Sequence, residues 1–155
     1  AGGRYVQVVE LLAGYWREHP KNIPAIELLA RACANQGQLP EALAWCQKGL
    51  ARDKLHLPLQ FLRATILQEE GLAEDAITAL HRVLYLDPHH LLAHFALGNI
   101  YHQQRRFPEA DRHFAQALEL LKTRAPEEVI PESEGITAGR LRAIIESTLR
   151  SEIAA

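Results

Sequence analysis

The chain of 155 residues contains no methionine, only two cysteines, and a net charge of −2. Two cysteines are too few to define a disulfide framework. The near-neutral charge leaves no basic footprint for a nucleic-acid partner. No apolar run approaches the roughly 18 residues that a membrane span needs. No secretory signal peptide is visible, and the expected location is cytoplasmic. The missing methionine leads us to expect a piece cut from a longer chain, with Ala1-Gly2-Gly3 as a cloning remnant or a linker.

What the sequence does have is a 34-residue period. Ala42, Ala76 and Ala110 fall one period apart, as do Leu50, Leu84 and Leu118. The small residues Ala30, Ala64 and Gly98 make a third column, and Gly37, Gly71 and Arg105 a fourth. Repetition at this spacing is the mark of stacked helical hairpins that bury their cores against one another. The expected fold is an all-α superhelix that binds other proteins, rather than an enzyme with a closed pocket.

Three full units are expected at 23–56, 57–90 and 91–124. Their first helices should run over about 23–36, 57–70 and 91–104, and their second helices over about 40–51, 73–86 and 108–121. Gly37 and Gly71 suit the left-handed residue that ends a helix, a conformation uncomfortable for Arg105. Pro40 and Pro108 suit first helical turns, and Glu41, Asp75 and Glu109 place carboxylates near positive helix ends. Facing columns pair Cys33 with Cys46, Leu67 with Leu80, and Tyr101 with Phe114. The cysteines are thus expected to be reduced core residues, with a disulfide or a metal site as the alternative.

The stretch LLAHFALGNIYHQQRRFPEADRHFAQAL resembles a tetratricopeptide repeat, with Leu97, Gly98, Tyr101, Ala110, Phe114 and Ala117 in its signature columns. Asp87-Pro88 matches the family's turn between units, and Pro20 lies two periods earlier. Residues 1–22 are therefore expected to hold the second helix of a truncated preceding unit. Arg63 replaces the usual leucine of its column, and Lys54 the usual proline. A second resemblance is narrower. LYLDPHHLLAHFALGNIYHQQRRFPEADRHFAQALELL, followed by PESEGITAGRL, is similar to the repeat region of some bacterial chemoreceptor methyltransferases. It implies a parent enzyme that methylates receptor glutamates with S-adenosylmethionine, its catalytic domain lying upstream of Ala1. No Gly-rich loop after a strand is present here to bind that donor, so this piece is expected to be non-enzymatic and to hold no cofactor.

Residues 125–136 read as a solvated linker, broken by Pro126 and Pro131. Thr137 then fits a helix N-cap, with Ile136 and Leu141 spaced for a hydrophobic staple. Over 137–155, Leu141, Ile144, Ile145, Leu149 and Ile153 form one apolar stripe. This helix is expected to cap the last hairpin, or else to occupy the groove or a partner.

The repeat resemblance places a partner-binding concave groove on the first helices. It would be lined by Glu27, Arg31, Ala34 and Asn35, then Phe61, Thr65, Gln68 and Glu69, then Phe95, Asn99, His102 and Gln103. The competing reading gives Phe61, Phe95 and Asn99 to packing between units. His90 and His94, four apart beside His89, have chelating spacing. No matching Cys or carboxylate completes a site, so solvated histidines and no metal are expected. The leading expectation is a recruitment or target-selection module of a receptor methyltransferase, with a chemoreceptor or signalling component as partner. The rival is a stand-alone adaptor in a bacterial signalling, pilus or secretion assembly. A metal-dependent or thiol enzyme is remote.

Overall fold

In the computed structural model, which describes residues 2–154, eight helices follow one another: α1 (Gly2–Glu18), α2 (Ile23–Asn35), α3 (Leu39–Arg52), α4 (Leu57–Glu69), α5 (Ala73–Leu86), α6 (Leu91–Gln103), α7 (Phe107–Leu121) and α8 (Ala138–Ala154). Among the described residues there is no strand, and none of the helices is long and apolar enough to cross a membrane. The all-helical repeat architecture read from the sequence is the one observed.

Each hairpin is built by the same local chemistry. Asn22, His56 and His90, one period apart, stand immediately before the first helices, the two histidines with extended backbones. Asn22 and His90 accept the backbone N–H of Ala25 and Ala93 in side-chain caps, which satisfy helix donors that have no intrahelical partner. The first helices then end in one repeated turn. Gln38, Leu72 and Arg106 each donate their N–H to the carbonyl five residues back, of Cys33, Leu67 and Tyr101. The residue before each donor is left-handed, with φ of 76° at Gly37, 79° at Gly71 and 59° at Arg105. Arg105 thus adopts the strained conformation expected of its column.

The chain forms two compact units, Ala1–Leu86 and Asp87–Ala155. In the first, α1 packs on α2, α2 pairs with α3, α4 pairs with α5, and α3 and α2 both touch α4. Its core gathers Ile26, Ala30, Cys33, Ala42, Cys46, Leu59, Leu62 and Ile66. Both cysteines are free and buried among these apolar side chains. Gly49 allows the close approach, since a Cβ there would run into Leu59 and Ile26. At the edge of this core Trp16 and Trp45 meet edge to face, and the Lys48 ammonium lies 4.5 Å from the Trp45 ring centroid. Leu11, on α1, is 74% exposed.

In the second unit α6 pairs with α7, and α8 packs against α7. Leu141 and Ile145 are fully buried, and Arg142 donates to the Leu121 carbonyl at the end of α7. The Thr137 hydroxyl caps α8 by accepting the Arg140 N–H. Ile153 does not join the buried stripe; it is 88% exposed.

The segment expected to be a solvated linker folds back on itself. Ile130 donates to the Ile136 carbonyl, Ala138 to Glu128 and Gly139 to Pro126. Val129 and Thr137 form an isolated antiparallel bridge, and Ile130 is buried. Gly135 supplies a φ of 99°, and Gly139 lets the chain pass Pro126, where a Cβ would stand 3.1 Å from its carbonyl oxygen.

Candidate protein-binding surface

Each first helix buries one side and leaves the other half-exposed. On α4, Leu59, Leu62, Ala64, Ile66 and Leu67 are buried, while Phe61, Thr65 and Gln68 are half-buried and Glu69 is exposed. On α2, Glu27, Arg31 and Ala34 are half-buried and Asn35 is exposed. Because α2 touches α4 within the first unit, these two sets occupy neighbouring helices. On α6, in the second unit, Phe95, Asn99 and His102 are half-buried and Gln103 is exposed.

The chemistry of these side chains is partly internal. The Glu27 carboxylate accepts from Arg31 at 2.9 Å, and its other oxygen lies 3.4 Å from His56 Nε2. Arg31 is therefore half of an ion pair one helical turn long, worth about 0.3–0.5 kcal/mol at such partly exposed sites. The Thr65 hydroxyl donates to the Phe61 carbonyl of its own helix. The Phe95 ring lies 6.4 Å from that of Phe114, tilted by 50°. This contact gives Phe95 a share in the packing within its own hairpin. His102 meets Phe107 edge to face at 5.3 Å, and its Nε2 is buried without a hydrogen-bond partner.

The histidines at the start of α6 are not the solvated residues their setting suggested. His94 is 7% exposed. Its Nε2 donates to the Pro88 carbonyl at 2.8 Å, and its Nδ1 lies 3.2 Å from His113 Nδ1. The two rings thus share one hydrogen bond between their Nδ1 atoms. His113 in turn stacks on Tyr101, with centroids 5.7 Å apart. His90 uses Nδ1 to cap α6, so its lone pair faces the helix, and its Nε2 is 3.9 Å from Glu132. Burial holds the His90 pKa below its ordinary value, against the opposing pull of Glu132 and Asp87. Among the described residues no group of three or more His, Cys, Asp or Glu is placed to hold a metal.

The segment carrying the second resemblance, Glu132 to Leu141, has a structural account in this fold. The Ser133 hydroxyl donates to the Ile130 carbonyl and accepts the Ile136 N–H. Gly135 and Gly139 provide the turn and the close approach, and Thr137 the cap.

Comparison with known proteins gives the same picture. A tetratricopeptide repeat model matches residues 1–64, and a second one matches residues 91–124. The chain is 33% identical over 101 residues to human "Tetratricopeptide repeat protein 6", which covers 64% of this chain and 19% of that protein. The chain thus spans about a fifth of the length of this relative. Among solved structures it is similar to MamA, with a TM-score of 0.70 at 13% identity over 99% of this chain and 94% of that one. It is also similar to a tetratricopeptide repeat protein from Parabacteroides merdae ATCC 43184, with a TM-score of 0.73 at 24% identity over 97% of this chain and 56% of that one. At these identities the structural likeness bears on fold alone.

Proposed function

For a chain built, as this one is, of tetratricopeptide repeats, we propose a recruitment role in which the half-exposed sides of the first helices take peptide segments of a partner protein, α2 with α4 in the first unit and α6 in the second. The observation that carries this reading is one column, Glu27, Phe61 and Phe95, all half-buried beside helix faces that are fully buried. A half-buried aromatic ring on the same helix as Asn99 or Gln68 offers an anchor accompanied by hydrogen-bonding groups, a combination that often carries most of an interface's affinity.

The parent system that fits this module is a chemoreceptor methyltransferase, supported by the resemblance over Leu84 to Leu121 and Pro131 to Leu141. In that reading S-adenosylmethionine belongs to a separate catalytic domain. This chain contributes proximity, raising the effective concentration of the right receptor near the reacting centre. The test is an array of overlapping peptides from bacterial chemoreceptor cytoplasmic domains, with hits measured by fluorescence anisotropy. Binding that weakens about tenfold or more in Phe95→Ala/Asn99→Ala, with helicity retained, supports both surface and partner class. Undiminished binding in that variant removes the surface. Receptor peptides that all fail to bind leave the stand-alone adaptor as the better reading.

A further inference from the structure

The second hairpin departs from its own columns, and the departures meet in space. Position 26 holds a fully buried Ile, but one period later stands Gln60. Leu29 and Leu97 are fully buried, but between them in the column stands Arg63, half-buried. Pro20 and Pro88 bracket Lys54 in the same way. Gln60, Arg63 and Lys54 all line one groove of about 900 Å³ in the first unit, near the top of the roughly 300–1,000 Å³ range of ligand sites. The N-terminal part of α4 and the α3–α4 turn supply these three residues. Leu55 of the same turn and residues of α3 and α5 supply the rest, so the groove lies along the second helices and not on the side of α4 that carries Phe61, Thr65 and Gln68.

The groove combines apolar surface with one sign of charge. Leu55 and Tyr85 are 71% and 87% exposed on its rim, with Leu50 and Leu86 beside them. Lys54, Arg63 and Arg82 contribute cations, and no carboxylate lines it. Among the described residues none of those three side chains is ion-paired. Gln60 is 8% exposed. Its Nε2 donates to the Lys54 carbonyl at 2.9 Å, which fixes the amide's orientation, and its Oε1 is left buried with no partner. A buried acceptor without a donor is the kind of group that native structures rarely leave unmatched.

We propose that this groove binds an extended acidic peptide segment with an aliphatic or aromatic side chain between its carboxylates, at a site separate from the first-helix surface. The carboxylates form charge-assisted hydrogen bonds with Arg63, Lys54 and Arg82. The apolar side chain packs on Leu50, Leu55 and Tyr85. A repeat-standard leucine at position 63 would take away the central cation.

The test is selection of random dodecapeptides displayed on phage against the 155-residue chain, followed by anisotropy with resynthesised peptides at low and high salt. Selected peptides should be rich in Asp and Glu around one large apolar residue. Their affinity should fall with salt, and by about tenfold or more in Arg63→Leu, the loss of a charge-assisted bond. Lys54→Ala/Arg82→Ala, two surface changes that leave the core intact, should weaken binding likewise, with helicity unchanged in each variant. Phe95→Ala/Asn99→Ala should bind these peptides as the parent does, which separates this site from the recruitment surface. The proposal is overturned if no acidic peptide is selected, if affinity ignores Arg63 and the Lys54/Arg82 pair, or if binding is lost only in the Phe95/Asn99 variant. It is also overturned if sedimentation shows self-association that Arg63→Leu abolishes, because the occupant is then a second copy of the chain.

Discussion

Gly98 and Phe114 are a matched pair: a Cβ at position 98 would stand 2.5 Å from Phe114 Cε1. The same two columns hold Ala30 with Cys46 and Ala64 with Leu80, so the smallest residue of one column accompanies the largest of the other. We expect Gly98→Ala to destabilise the chain by about 1–3 kcal/mol through overpacking. Phe114→Leu in the same background should recover much of that loss, because it recreates the Ala64/Leu80 combination. Urea denaturation of the four species in a double-mutant cycle reads the coupling. Strict additivity of the two single costs would show that the pair is not sterically matched.

Arg105 occupies a left-handed conformation that its column fills elsewhere with glycine. For a residue with a Cβ this costs roughly 1–2 kcal/mol, offset in part by the greater chain entropy of glycine. Arg105→Gly should therefore stabilise the chain by up to about 1 kcal/mol, a rise of roughly 2–4 °C in melting temperature. A lower melting temperature would mean that the Arg105 side chain contributes more than its backbone strain costs.

His90 couples a helix cap to protonation. Its Nδ1 accepts the Ala93 N–H, and burial lowers its pKa. A lowered folded-state pKa means that the unfolded chain takes up the proton first. The stabilisation is present above the ordinary imidazole value of about 6.5 and is lost as pH falls below it. Charged groups facing His90 are Glu132 and Asp87, with His94 alongside. His90→Asn keeps an oxygen acceptor that does not titrate. Between pH 7.5 and 5 the parent should lose about 1 kcal/mol, the value of a cap, relative to His90→Asn in parallel denaturant titrations. Equal losses in both proteins would detach the cap from the titration.

Burial pushes the Cys46 thiol up to about 12, against the lowering pull of Arg63 and Arg31. A raised folded-state pKa keeps its full benefit below the unfolded value of 9.0 and loses it as pH climbs from there towards about 12. Stability should thus fall above pH 9 by up to about 1.4 kcal/mol per pH unit from this group, and Cys46→Val should show a shallower decline. At pH 8 the native thiol should react with Ellman's reagent only at the rate of unfolding. Rapid native-state reaction at Cys46 would contradict the burial.

Much of the hairpin architecture is legible in the sequence because it rests on local rules. Gly37 and Gly71 mark where helices stop, Pro40 and Pro108 where they start, and the alanine columns where backbones approach. The histidines at 90 and 94 misled because burial depends on partners distant in the chain: His113 for His94, and the folded loop for His90. That loop is hidden by its composition, since Pro126, Pro131 and four glutamates mask a run of backbone hydrogen bonds closing over Ile130. Arg63 and Lys54 stand out as broken columns, but a broken column reads equally well as a weakened unit. Only their placement with Gln60 in one cleft gives the departures a common cause. For the first-helix surface, the sequence identifies which residues share a face, whereas the internal pairing of Glu27 with Arg31 and His56 shows only in the fold.

Those broken columns also bear on how such a chain can change over time. Proteins of stacked units lengthen and shorten by whole periods, because each unit meets only its neighbours. Excising residues 57–90 would leave the hairpins on either side with their leucines at 29 and 97, and so preserve the register. It would also remove Gln60, Arg63 and the α5 wall in one event. Gain or loss of a period is therefore a change of valence here, altering how many ligands one chain can hold rather than how tightly it holds any of them.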